Sequence, residues 1–128
     1  MFSKKSSSSY SVDTLIGANS FFEGNIKLDG TIRIDGKTRG EVKAEGDVII
    51  GEKATVWGNI YANNVIISGI VEGNITAKGQ LRLTTSAKLT GDIKTNSLIA
   101  DEGAIFHGNC AMMENSTRQE IPTKEKDK

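Results

Sequence analysis

Gly58-Asn59-Ile60-Tyr61-Ala62, followed by Gly73-Asn74-Ile75-Thr76-Ala77, states one pattern twice: a glycine, a small polar residue, then apolar residues at alternate positions. The pattern stands again at Gly24-Asn25-Ile26, Gly40-Glu41-Val42 and Gly91-Asp92-Ile93, and at Gly108-Asn109-Cys110 with cysteine in the apolar place. Successive glycines lie 16, 18, 15, 18 and 17 residues apart, so the period is about 17. A nearly constant period of this length denotes one structural unit stacked on copies of itself.

Two further tracks run beside the first. Ile32/Ile34, Val48/Ile50, Val65/Ile67 and Leu81/Leu83 alternate with period two, and Leu98/Ala100 continues them. Ala54/Val56, Ala87/Leu89 and Ala104/Phe106 precede the glycines, with Val71 in a shorter repeat. After the glycines come Ile26/Leu28, Val42/Ala44, Ile60/Ala62, Ile75/Ala77 and Ile93/Thr95. Alternation over so few residues predicts strands, and no segment holds a helical pattern. Each repeat therefore reads as three strands of about five residues, joined by turns rich in Gly, Asn and Asp.

Three strands per repeat, each in line with its counterpart one repeat later, predict an all-β, single-domain, triangular parallel β-helix of about six rungs. Rungs stacked at about 4.8 Å give a rod about 29 Å tall. Inward side chains form columns of like residues, such as Ile34, Ile50, Ile67 and Leu83. Each buried member contributes roughly 1.5–3 kcal/mol. The crossover preference of parallel strands makes the expected winding right-handed.

Composition divides the 128 residues into a Ser-rich arm (1–12), the repeat region (13–112) and a polar tail (113–128) holding Pro122. Arm and tail carry too little apolar surface to fold and are expected to be disordered. Sixteen Lys and Arg balance sixteen Asp and Glu, which argues against a nucleic-acid surface. A single cysteine, Cys110, forms no internal disulfide and suits a reducing compartment. No apolar run is long enough to span a bilayer, and Met1 to Ser9 lacks the apolar core of a secretory signal. The expected location is the cytoplasm.

A solenoid has two open ends, which are either capped or used for assembly. Aligning the glycines places Phe22 in one inward column with Thr38, Val56, Val71, Leu89 and Phe106. Its large members are the first and the last. Either these phenylalanines plug a wider terminal layer, or they pack against the same end of a second molecule. The second reading is preferred, because no other part of the sequence hides the ends.

The run Ile34-Asp35-Gly36…Gly40-Glu41-Val42, the two Gly-Asn-Ile repeats quoted first, and the ending Gly103-Ala104-Ile105-Phe106-His107-Gly108 together resemble the bactofilin family of bacterial polymer-forming cytoskeletal proteins. The resemblance covers about residues 13–112. It implies a right-handed triangular β-helix that polymerises without nucleotide or other cofactor. It implies filaments without polarity, built head-to-head and tail-to-tail, that lie under the cytoplasmic membrane. Such proteins scaffold cell-wall synthesis or hydrolysis proteins and shape cells. Phe106 matches the family's C-terminal core aromatic, which lies at a polymer junction. The start Met1-Phe2-Ser3-Lys4-Lys5 resembles the family's membrane-targeting arm, which makes Met1, Phe2, Lys4 and Lys5 the expected lipid contacts. No glycine follows Met1, so myristoylation is not expected. One departure is Lys37-Thr38-Arg39, which has no apolar residue in the inward column and predicts a looser face there.

Other constellations point to chemistry less strongly. Gly30 to Thr38 approaches a phosphate-binding loop, but five residues separate Gly30 from Gly36, and no helix follows. His107 is the sole histidine and would be the base in a β-helical acyltransferase. Its outward place beside Glu23, Arg39, Trp57, Glu72 and Thr90 reads instead as ordinary surface. Asp29, Asp35, Glu41, Glu45 and Asp47 would serve a glycan-acting enzyme, but lysines and arginines interleave with them as on a solvated wall. Cys110 reads as a small core filler, and no cluster has metal-ligand spacing. On the first track, Ile16, Ile49, Ile66 and Ile99 are expected to point outward, interrupted by Arg33 and Arg82. That stripe suits a neighbouring filament, a partner, or cover by the arm or tail. Trp57 and Tyr61 also point outward. The preferred function is a self-assembling scaffold; the alternatives are an acyltransferase or glycan-acting enzyme and a monomeric binding module.

Overall fold

The structure, a computed structural model, describes residues 11–113. The lipid contacts expected at Met1, Phe2, Lys4 and Lys5, and nearly all of the tail, lie outside the described residues.

The chain winds through six rungs. The first holds β1 (Thr14–Ile16), β2 (Phe21–Glu23) and β3 (Ile26–Leu28); the second holds β4 (Ile32–Ile34), β5 (Lys37–Arg39) and β6 (Val42–Ala44). The third holds β7 (Asp47–Ile50), β8 (Thr55–Trp57) and β9 (Ile60–Ala62). The fourth holds β10 (Asn64–Ile67), β11 (Ile70–Glu72) and the start of β12 (Ile75–Leu83), whose end opens the fifth. There follow β13 (Lys88–Thr90), β14 (Ile93–Ala100), β15 (Ile105–His107) and β16 (Cys110–Met112). The first face stacks β1, β4, β7, β10, β12 and β14; the second stacks β2, β5, β8, β11, β13 and β15; the third stacks β3, β6, β9, β12, β14 and β16. Every pairing is parallel. This is the all-β parallel solenoid expected from the period.

Most strands are three or four residues long, shorter than the five expected. The exceptions are β12, of nine residues, and β14, of eight, each of which carries two faces round a corner. At that corner the backbone keeps its partners: Gly79 N–H donates to Asn63 O at 2.6 Å and Gln80 N–H to Asn64 Oδ1 at 2.9 Å. A register shift between Ala77 and Gln80 absorbs the bend.

The glycine and the polar residue of the repeat have separate tasks. Gly58 has φ +145°, and a Cβ there would strike the carbonyl oxygen of Gly40 in the rung below. Only glycine permits both the backbone angle and the close stacking. The residue after it hydrogen-bonds between rungs. Asn25 Oδ1 accepts from Glu41 N–H (2.9 Å), Asn59 Oδ1 from Asn74 N–H (2.9 Å), Asn74 Oδ1 from Asp92 N–H (3.0 Å) and Asp92 Oδ1 from Asn109 N–H (3.2 Å). The corner amides thus find partners that the strand ladders do not supply.

The core is the sum of the inward columns. Ile32, Val48, Val65 and Leu81 form one, Ile34, Ile50, Ile67 and Leu83 a second, and Val42, Ile60, Ile75 and Ile93 a third; all are buried. Thr38 does not loosen its face. It is 1% exposed and stacks between Phe22 and Val56 in register. The departure is chemical instead, because Thr38 Oγ1 has no hydrogen-bond partner. Buried Thr95, by contrast, accepts from Ser97 N–H at 3.4 Å and donates to Ser97 O at 3.2 Å.

Candidate assembly surfaces

Phe22, Thr38, Val56, Val71, Leu89 and Phe106 form one column, as the glycine alignment predicts. Val56, Val71 and Leu89 are fully buried, whereas Phe22 in the same column is 39% exposed. The difference is that, among the described residues, no rung lies beneath it. Beside it Phe21 is 57% exposed, and Val12 and Leu15 are also open. At the opposite end Phe106 is half-buried, while Ile105 and Met112 are 42% and 51% exposed. Both ends thus present apolar side chains together with the unpaired edges of terminal strands. Among the described residues, no segment folds over either end.

Cys110 corrects one expectation. It stands in the inward column above Ile93, but no further rung follows among the described residues, so it is exposed rather than a core filler. Partial burial against the rung below still pushes its thiol above the ordinary value.

Ile16 corrects another. It pairs with Ile34, so it belongs to an inward column and packs against the core. The outward place in the first rung belongs to Leu15, opposite Arg33. The first interval on this face is 18 residues, and counting one fewer exchanges inward for outward. Ile49, Ile66 and Ile99 do point outward, in register with Arg33 and Arg82.

The second face carries a cluster that sequence reading left unassembled. The Arg39 guanidinium lies 5.1 Å from the Trp57 ring centre and 5.9 Å from that of Phe21, and approaches Glu23 at 3.8 Å. The alignment of Glu23, Arg39 and Trp57 in one column was the available signal. Phe21, Ile105 and Met112 also went unmarked as end residues, though each neighbours a terminal core position.

The residues considered for chemistry remain apart. His107 stands exposed on the last rung above Thr90. Asp29 and Glu45 share a shallow groove with Lys27, Lys43, Tyr61 and Lys78, and Lys43 Nζ lies 5.4 Å from the Tyr61 ring centre. Asp35 is paired with Arg33 elsewhere, and Asp47 accepts from Asn64 Nδ2 at 3.1 Å. The five acids therefore form no single cluster. Gly30 to Thr38 runs through β4 into β5, with no helix end to receive phosphate. Among the described residues, no group of three or more His, Cys, Asp or Glu is placed to hold a metal ion, and no helix is long and apolar enough to cross a membrane.

Comparison with known families supports the scaffold reading of a six-rung rod with apolar ends. The polymer-forming cytoskeletal family Bactofilin matches residues 14–111, which is almost the whole solenoid. The chain belongs to the bactofilin family. A cryo-EM reconstruction of Thermus thermophilus bactofilin double helical filaments is similar at 32% identity and TM-score 0.74, over 78% of this chain and 99% of that one. A crystal structure of a phenylalanine-to-arginine mutant of the Thermus thermophilus bactofilin is similar at 32% identity and TM-score 0.65, over 68% of this chain and 97% of that one. A search of curated proteins found no match. This bactofilin is thus a member of a self-assembling cytoskeletal family.

Proposed function

We propose that this bactofilin forms non-polar filaments by end-to-end contact of its solenoids, without nucleotide, on the inner face of the cytoplasmic membrane. There it organises cell-shape or cell-wall machinery. The observation that carries the reading is the exposure, at both ends of the rod, of residues whose column neighbours are fully buried. Phe22 at one end and Phe106 at the other are the proposed centres of the two junctions. Stacking like end on like end continues the core column and covers the open strand edges. The Thermus thermophilus protein forms double helical filaments, which supports a second contact in this chain's assembly, between two strands.

Negative-stain electron microscopy beside sedimentation tests the reading. Wild type is expected to form filaments without added nucleotide. Phe106→Arg is expected to give short soluble species with an unchanged β-sheet circular dichroism spectrum. Filaments of unchanged length in that variant would overturn the assignment of the junction.

Membrane attachment is proposed through Met1, Phe2, Lys4 and Lys5. Inserting one phenylalanine contributes roughly 1.5–3 kcal/mol, and each basic residue near anionic lipid about 1 kcal/mol. One subunit is therefore weakly held, but a filament repeats the contact many times. Phe2→Ala and the pair Lys4→Glu, Lys5→Glu should each release filaments from anionic liposomes in a flotation assay. Co-flotation of both variants at wild-type level would exclude this arm as the anchor.

A further inference from the structure

The outward column of the first face reads Leu15, Arg33, Ile49, Ile66, Arg82, Ile99 from first rung to last. Reversed, it keeps the same order of side-chain types, with two aliphatic residues at the centre, an arginine on each side and an aliphatic residue at each end. Leu15 and Ile99 are exposed, and Ile49 and Ile66 are half-buried. Both arginines are neutralised within the chain, Arg33 by Asp35 at 3.0 Å and Arg82 by Asp101 at 3.2 Å. Both carboxylates stand just after the strands of this face, at one corner of the rod.

We propose that this column is the side contact between two filament strands, in which a subunit packs antiparallel against a second copy of the same chain. The inference rests on the filament reading given above. A two-fold axis along the strand direction, passing between the third and fourth rungs, turns the column onto its own reversal. Ile49 then meets Ile66 of the second copy, and Leu15 meets Ile99. The Arg33–Asp35 pair meets the Arg82–Asp101 pair at the same corner, so each copy brings one cation and one anion to the contact. The third face offers no such match. Its outward column reads Lys27, Lys43, Tyr61, Thr76, Lys94, Ala111, and the same operation would set Lys43 against Lys94.

The size of the contact agrees with this occupant. One column about 29 Å tall falls far short of the roughly 800 Å² per partner that a stable pair needs. Isolated subunits do not pair through it. A filament repeats it at every subunit, and the weak contacts act together.

The test uses the full chain. Wild type is expected to form paired filaments at moderate salt. Ile66→Lys, folded by circular dichroism, is expected to form single filaments of unchanged length, with paired segments at least tenfold rarer. Wild-type filaments that stay single would overturn the side contact while leaving end-to-end assembly intact. So would paired filaments in Ile66→Lys. A folded Ile66→Lys protein that forms no filaments would place this face at the end junction instead. Pairing that appears only after deletion of residues 1–10 would mean that the chain's own arm covers the face. Absence of any wild-type filament would remove the underlying reading itself.

Cross-linking checks the orientation. Arg33→Cys and Arg82→Cys proteins, both carrying Cys110→Ser, are assembled separately or are mixed as subunits and assembled together, and each sample is treated with a short bismaleimide cross-linker. The antiparallel contact gives cross-linked dimers in the co-assembled mixture only, because opposed positions on facing sheets lie about 10 Å apart, within reach of the linker, whereas like positions are offset by a further three rungs, about 14 Å. Dimers in either unmixed sample, or none in the mixture, would overturn the antiparallel arrangement.

Discussion

At Gly58 the backbone angle and the close approach of Gly40 exclude any side chain. Gly58→Ala is expected to cost at least about 2 kcal/mol, from a strained φ together with a clash against backbone. Denaturant unfolding of a non-polymerising background such as Phe106→Arg would measure it. Thr38 makes the opposite case. Its hydroxyl is buried without a partner, and valine keeps its shape while removing the unsatisfied oxygen. Thr38→Val should stabilise the rod by about 1 kcal/mol. A lower unfolding midpoint for that variant would show that the hydroxyl is satisfied in solution. Cys110 supplies a chemical probe. Burial pushes its thiol above the ordinary value, so less of it is thiolate near neutrality; alkylation there should be slower than that of an ordinary thiol and should keep rising with pH until it levels off past the raised value.

Each three-residue strand is too short to persist alone, and its stability comes from neighbours above and below. The strands of the middle rungs have two such neighbours; those of the terminal rungs have one. Removing an interior column member should therefore be costly. Ile67→Ala, at the centre of the column Ile34, Ile50, Ile67, Leu83, is expected to lose about 2–5 kcal/mol. The polar ladder contributes less. Asn74→Ala deletes the acceptor for Asp92 N–H at an exposed corner and should cost about 1 kcal/mol. The two effects are separable by denaturant titration in the same background.

Across the whole molecule, the proposed end-to-end assembly has a rod with like residues in its columns and apolar ends extend its own lattice when another end is supplied. Junction formation should then shield Cys110, which stands on the last rung. Maleimide labelling of Cys110 is expected to slow several-fold in assembled filaments relative to Phe106→Arg subunits. Equal labelling rates in the two states would place the cysteine outside the junction. The side contact proposed for Leu15 to Ile99 is weaker per subunit, and so filaments should form before they pair.

The period, the three faces and nearly every column were legible in the sequence, because alternation within strands and glycine at each corner leave few registers that bury the apolar residues. The alignment of Phe22 through Phe106 followed from the glycines alone. The first rung was misread at Ile16 because no earlier repeat fixes its register; pairing of Thr31 N–H with the Asp13 carboxylate and of β1 with β4 sets it. Sequence gave Cys110 its column but not its exposure, since exposure depends on whether another rung covers it. The internal pairing of Arg33 and Arg82 with carboxylates also needed the folded chain. Periodicity determines which way a side chain points; only the stacked structure decides what, if anything, lies against it.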